Sequence, residues 1–166
     1  TDGYLALDTT DAISASSGWL PVSNSLITLA NNWSAYNNNG NDFIAYCFAD
    51  VQGFSKFGSY VATGTADSAF CYTGFSPAFV MIKRTDGGDS WVTIDSKRDT
   101  YNQTSKTLHA DLADAEIDRQ SLDFLSNGFK IRAGNGLING TGNNHTYMAF
   151  ASAPLVGTNN IPANAR

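Results

Sequence analysis

Residues 77–95 read PAFVMIKRTDGGDSWVTID, and this stretch decides the fold class. In the first run Phe79 and Met81 alternate with Val80 and Ile82 before two charges end it. In the second, Trp91, Thr93 and Asp95 alternate with Val92 and Ile94. A period of two marks a strand, because successive side chains leave opposite faces of the pleat. TDGGDS between the runs supplies turn chemistry.

The same signal recurs in both directions along the chain. GFKIRAG sends Phe129 and Ile131 one way and Lys130 and Arg132 the other, and HTYMAFA sets Met148 and Phe150 against Tyr147 and Ala149. YLAL, SLITL, FIAYCFA, FGSYVAT, AFCY, TLHA and LDFL are further strand candidates, separated by clusters such as NNNGND, LSNG, AGNG and NGTGNN. There Gly and Asn provide the positive φ of tight turns. Only ADLADAEIDRQ has helical composition. The pattern predicts an all-β fold: an antiparallel β-sandwich of jelly-roll or concanavalin-like type. It has about eleven short strands and at most one short helix, near 111–119.

A length of 166 residues with 42% hydrophobic and 15% charged residues suits one domain with its own core, not a disordered tail or a coiled coil. Apolar runs such as FIAYCFA are too short to cross a membrane, so no membrane insertion is expected. The net charge of −5 argues against nucleic acid as a partner. That charge is unevenly placed. Residues 1–55 carry Asp2, Asp8, Asp11, Asp42 and Asp50 and no cation, whereas residues 56–166 hold ten charges of each sign. Two cysteines, Cys47 and Cys71, make no disulfide framework, and both fall in apolar runs that suit buried free thiols. Thr1 is not an initiator methionine, so the expectation is that the chain begins by processing or is a fragment of something longer.

The chain repeats itself. YLALDTTDA from Tyr4 aligns with TLHADLADA from Thr107, where Leu5, Asp8, Asp11 and Ala12 recur as Leu108, Asp111, Asp114 and Ala115. NNNGNDFIAYCFA from Asn37 aligns with NGTGNNHTYMAFA from Asn139, where Asn37, Gly40, Asn41, Phe48 and Ala49 recur as Asn139, Gly142, Asn143, Phe150 and Ala151. The expected layout is a single sandwich over 1–153, built from a half repeat (1–50) and a full repeat (53–153). Residues 154–166 follow as an extended tail. A half sandwich leaves an apolar face and unpaired edges. Either it folds onto the full copy, or a neighbouring subunit completes it, which makes an open head-to-tail filament.

At FIAYCFADVQGFSKFGSY, TGFSPAFVMIKR, WVTIDSKRDTYN and LDFLSNGFKI…NGTGNNHTYMAFA the chain resembles a recurring domain of unknown function. That domain occurs in phage virion and tail-fibre-like proteins, especially from aquatic metagenomes. The resemblance covers residues 41–166, while residues 1–40 resemble the tail of a preceding copy. It implies a jelly-roll or lectin/glucanase-like sandwich in an extracellular structural protein, free as a fibre or on a virion surface. It implies no catalytic residues.

The residues agree that chemistry is sparse. His109 and His145 lack a nucleophile elbow, and the two cysteines and two histidines have no zinc spacing. The carboxylates Asp8, Asp11, Asp111 and Asp114, with Glu116 and Asp118, lack the spaced oxygen ligands of a calcium loop. Asp95, Lys97, Arg98 and Asp99 read as a solvated rim of ion pairs. No catalytic residue, metal or cofactor is therefore expected, and the chain is not expected to be an enzyme. Phe54, Phe57 and Tyr60 in GFSKFGSY offer either core packing or a sugar-stacking platform. Four sequons place possible N-glycosylation at Asn32, Asn102, Asn139 and Asn144, a number that composition alone can supply. The function expected is a structural protomer of an extracellular or virion-associated fibre that pairs with itself through strand or edge complementation. Burial of Ile27, Leu29, Ile44 and Phe48 would drive the contact. The alternative is a glycan- or receptor-binding module of a phage tail fibre.

Overall fold

A computed structural model describes residues 3–15, 23, 25–29, 37–133 and 136–152. Eight strands form one antiparallel sheet: β3 (Ser55–Val61), β4 (Phe70–Tyr72), β5 (Pro77–Arg84), β6 (Val92–Asp95), β7 (Thr104–His109), β8 (Ile117–Leu125), β9 (Gly128–Ala133) and β10 (Asn144–Ala151). Their order is β3-β10-β5-β6-β7-β8-β9-β4. A separate ribbon pairs β1 (Gly3–Tyr4) with β2 (Ser14–Ala15). The fold is all-β, as expected, with ten strands and one short helix among the described residues.

The large sheet curls into two facing layers and nearly closes. One layer is β3-β10-β5-β6 and the other β7-β8-β9-β4. Only Val92↔His109 and Thr93↔Leu108 pair across the β6–β7 join. Between the layers, Phe129 of β9 meets Tyr147 of β10 edge-on with ring centroids 5.0 Å apart. Each strand sends alternate residues into this space, as its sequence dictates. Val80 and Ile82 from β5, Val92 and Ile94 from β6, Leu122 from β8, Phe129 and Ile131 from β9 and Ala149 from β10 are all fully buried. At about 1.5–3 kcal/mol per fully buried large side chain, these residues dominate the favourable side of folding. Gly142, at φ 75°, makes the turn that feeds β10.

The helix lies elsewhere than expected. Residues 112–116 have no regular structure and Ile117 already starts β8. Helical composition there is overridden by tertiary bonds: Arg98 Nη1 reaches Glu116 at 2.9 Å, and Lys106 and Thr107 of β7 pair with Asp118 and Ile117. Among the described residues the single helical turn is α1 (Gly136–Asn139), which carries buried Ile138 and Asn139. Tyr60 donates its hydroxyl to the Ile138 carbonyl at 2.8 Å. Asn139 bonds Thr65 O through Nδ2 at 2.9 Å and accepts from Gly64 N at 3.2 Å.

The leading segment divides into two parts that behave differently. Residues 3–15 lie across the outer face of β5 and β6. Ile13 N donates to Thr85 O at 2.9 Å, Lys83 Nζ to Thr10 O at 3.2 Å, and Trp91 Nε1 to Ala6 O at 2.9 Å. Residues 41–50, the sequence counterpart of β10, are exposed throughout and form no strand. The tail expected at 154–166 lies outside the described residues.

Candidate assembly surface

On the outer face of the first layer, five phenylalanines converge. Phe57 from β3, Phe150 from β10 and Phe79 from β5 all point away from the core, and Phe54 and Phe48 join them from the chain leading into β3. Phe150 sits centrally, with its ring 6.0 Å from Phe48 and 6.1 Å from each of Phe54, Phe57 and Phe79. Phe48 remains 64% exposed. Beyond it the chain continues with Tyr46 and Ile44, each 81% exposed, and the exposed Phe43. Large apolar side chains therefore remain in contact with water along this segment.

The turn that joins this segment to β3 is built by short-range bonds. Val51 and Ser55 form an antiparallel bridge, and Ser55 Oγ donates to Ala49 O at 2.7 Å. Asp50 accepts from the Phe57 backbone N–H at 2.8 Å and pairs with the Lys56 ammonium. The Lys56 bond holds the Asp50 carboxyl below its usual range. The carboxylate thus occupies a place on the β3 edge where another strand's backbone would otherwise bind.

Beside this turn a groove of about 390 Å³ opens between β3 and β4, lined by residues that include Gln52, Ser55, Lys56, Tyr72, Thr73 and Gly74. It marks the gap at which the sheet fails to close. Sequence patterning could not reveal it, because it depends on β3 and β4 facing one another without pairing.

The anticipated residues are distributed unevenly. Ile44 and Phe48 lie on the exposed segment, whereas Ile27 is exposed and Leu29 half-buried in the short stretch 25–29. Phe54 and Phe57 share the outer aromatic face with Phe48. Tyr60 does not join them, and its part in a sugar platform is corrected: it is buried in the core and stacked on His145 at 4.8 Å. Phe57 and Tyr60 are three residues apart on one strand, so they must take opposite faces. Burial raises the Tyr60 pKa well above the ordinary value and lowers that of His145.

The sequons also differ in setting. Asn139 is buried with its amide committed to Thr65, so it is corrected as a carbohydrate acceptor in the folded chain. Asn102 is exposed, donating to Phe124 O at 2.8 Å and accepting from Phe124 N at 2.9 Å. Asn144 is exposed and donates to Asp86 at 2.9 Å. Asn32 lies outside the described residues.

The polar motifs serve structure. Asp95 accepts from the backbone of Lys97 and Arg98, each at 2.9 Å, and Arg98 bridges Asp95 and Glu116. His109 Nδ1 lies 2.9 Å from Trp91 O, and Asp111 accepts from Trp91 N at 3.1 Å. Among the described residues no group of three or more His, Cys, Asp or Glu could hold a metal, and no helix is long and apolar enough to cross a membrane. Both thiols are free. Cys71 is buried as expected, but Cys47 is exposed because its segment joins no sheet.

Residues 1–154 match the model of a family described as a domain of unknown function (DUF7483). No curated protein and no solved structure matches the chain.

Proposed function

The chain belongs to the DUF7483 family, and from that footing we propose that it is a structural protomer of an extracellular or virion-associated fibre, joined head to tail by strand complementation. One observation carries the reading. Residues 42–49 are a sequence counterpart of β10, a strand paired on both sides in the sheet, yet here they are exposed and pair with no strand among the described residues. Burying Ile44, Tyr46 and Phe48 against a sibling removes apolar surface that is otherwise left in water, and main-chain hydrogen bonds along a sheet edge add direction to the contact. Repetition of a contact between two different surfaces generates an open fibre where its rotation does not close into a ring.

The test is direct. Purified chain should form rods in negative stain and a mass that grows with concentration in light scattering. The double variant Ile44→Ser, Tyr46→Ser should stay folded and disperse. A wild-type chain that remains monodisperse and monomeric at every concentration overturns the reading.

A second reading, a glycan-binding module, draws on the exposed Tyr72 ring beside the β3–β4 groove, with Gln52 and Lys56 offering polar partners and Phe54 nearby on the outer face. Retention on a glycan array that Tyr72→Ala abolishes would support it. Silence across a broad array would remove it.

A further inference from the structure

We propose that the outer face of β5 and β6 is a seat for the tip of a β7–β8 hairpin, and that the tip in this chain, residues 108–116, docks on that seat of another copy of the domain. The inference goes beyond the fibre reading, which draws on residues 42–49, and holds independently of it.

The β1–β2 ribbon shows the seat filled. Its two pairs are Gly3↔Ala15 and Tyr4↔Ser14. The alignment that sets Tyr4 on Thr107 carries Gly3, Tyr4, Ser14 and Ala15 onto Lys106, Thr107, Ile117 and Asp118. Where β7 meets β8, those residues pair as Lys106↔Asp118 and Thr107↔Ile117. Two stretches aligned by sequence alone thus share one ladder register, and a slip of one residue in either would have destroyed the match. The ribbon is a second copy of the hairpin, folded apart from the large sheet.

The seat grips the ribbon by its main chain. Trp91 Nε1 donates to Ala6 O, Lys83 Nζ to Thr10 O, and Ile13 N to Thr85 O. The hairpin counterparts of Ala6, Thr10 and Ile13 are His109, Ala113 and Glu116. Their side chains differ, but every residue here carries a backbone carbonyl and N–H, so the hairpin can offer the same two acceptors and one donor. One side chain at the seat is kept. Asp11, whose carboxylate acts on the buried Lys83 ammonium, recurs as Asp114.

The tip is available for such a contact. Residues 112–116 are exposed and lie outside any strand, and Leu112 is among the exposed large apolar residues. Ala113 O has no backbone partner among the described residues, and Asp114 makes no ion pair among them. The seat in this chain holds its own ribbon, so the partner of the tip is a copy whose seat stands vacant. Docked there, Asp114 would take the place of Asp11 beside the buried lysine.

Two full-length chains supply the test. In the graft, residues 3–15 carry the sequence of residues 106–118, KTLHADLADAEID. In the blank they carry glycine and serine alone. Hydrogen exchange at the Trp91 indole N–H reads the seat. The graft should exchange at the wild-type rate and the blank about fivefold faster or more, the worth of one lost hydrogen bond. A graft that exchanges as fast as the blank overturns the seat. Where the blank does not fold, Ile13→Pro, which deletes the N–H bonded to Thr85 O, takes its place. The partner is read in the blank carrying Ile44→Ser and Tyr46→Ser, so that the fibre contact plays no part. Its vacant seat and free tip should give concentration-dependent association in sedimentation, and Asp114→Lys should return it to monomer. A blank that stays monomeric at every concentration overturns another copy as the partner. Association that Asp114→Lys leaves intact overturns the tip as the docking element.

Discussion

Lys83 donates from Nζ to the carbonyl oxygen of Thr10 at 3.2 Å, so a fully buried lysine on the outer face of β5 holds down the amino-terminal segment. The same ammonium also donates to Arg84 O at 2.9 Å. Burial lowers its pKa, opposed by the carboxylates of Asp89, Asp111 and Asp11. Of these carboxylates Asp11 belongs to the acidic leading segment, while Asp89 and Asp111 lie in the body.

Lys83→Met keeps the packed stem and removes both bonds. Global stability at pH 7 should change by no more than about 1 kcal/mol, since losing the hydrogen bonds offsets relief from a buried charge. Amide exchange at Ile13, whose N–H bonds Thr85 O, should accelerate. A pH signature accompanies this change. The unfolded lysine holds its proton more tightly than the folded one. Wild-type stability relative to the variant therefore rises with pH from the depressed folded value toward 10.5. Paired denaturant titrations between pH 7 and 9.5 would check it.

Trp91→Phe retains the ring and loses the 2.9 Å bond from Nε1 to Ala6 O. A loss of about 1 kcal/mol is expected. Proteolysis should then cut first within residues 3–15, read by mass spectrometry.

His145 is buried against Tyr60, with Nε2 3.3 Å from Gly136 O, and desolvation lowers its pKa. Below 6.5 the unfolded histidine takes up a proton that the folded one resists, so stability falls as pH drops from 6.5 toward the depressed folded value. His145→Phe should flatten this loss, seen as a smaller difference in melting temperature between pH 7.5 and 5.5 than in wild type.

Phe129→Ala should cost about 3–5 kcal/mol, because it empties the contact between the two layers. Tyr46→Ser, on the exposed segment, should shift stability by less than about 0.5 kcal/mol while reducing rod formation. Denaturant melts and micrographs separate the two effects.

Strands were the legible part of the sequence. PAFVMIKR is β5 from end to end, with Val80 and Ile82 inward as its alternation implied, and GFKIRA and HTYMAFA lie within β9 and β10. Two errors have different origins. The helix expected near 111–119 rested on local propensity, which the Arg98–Glu116 pair and the β7 register overrode. The turn at Gly136–Asn139 was hidden because GLIN, flanked by glycine and asparagine, reads as loop. Bonds from Tyr60 and Thr65, distant in sequence, define its surroundings. Tyr60 could have been placed correctly, since the period of two separates it from Phe57. The groove beside Tyr72 could not, because no local pattern records which strands fail to meet.

The β6–β7 join has a mechanical consequence. It is made from two residue pairs, where other neighbours in the large sheet share three to seven. Side chains reinforce it, with Thr93 Oγ1 on Leu108 O at 3.0 Å and His109 against Trp91 O. So narrow a stitch serves as the spine of a book whose covers are the two layers. At the fore-edge opposite, where β3 and β4 lie, the covers are latched by Phe129 of β9 against Tyr147 of β10, the strands next to that edge.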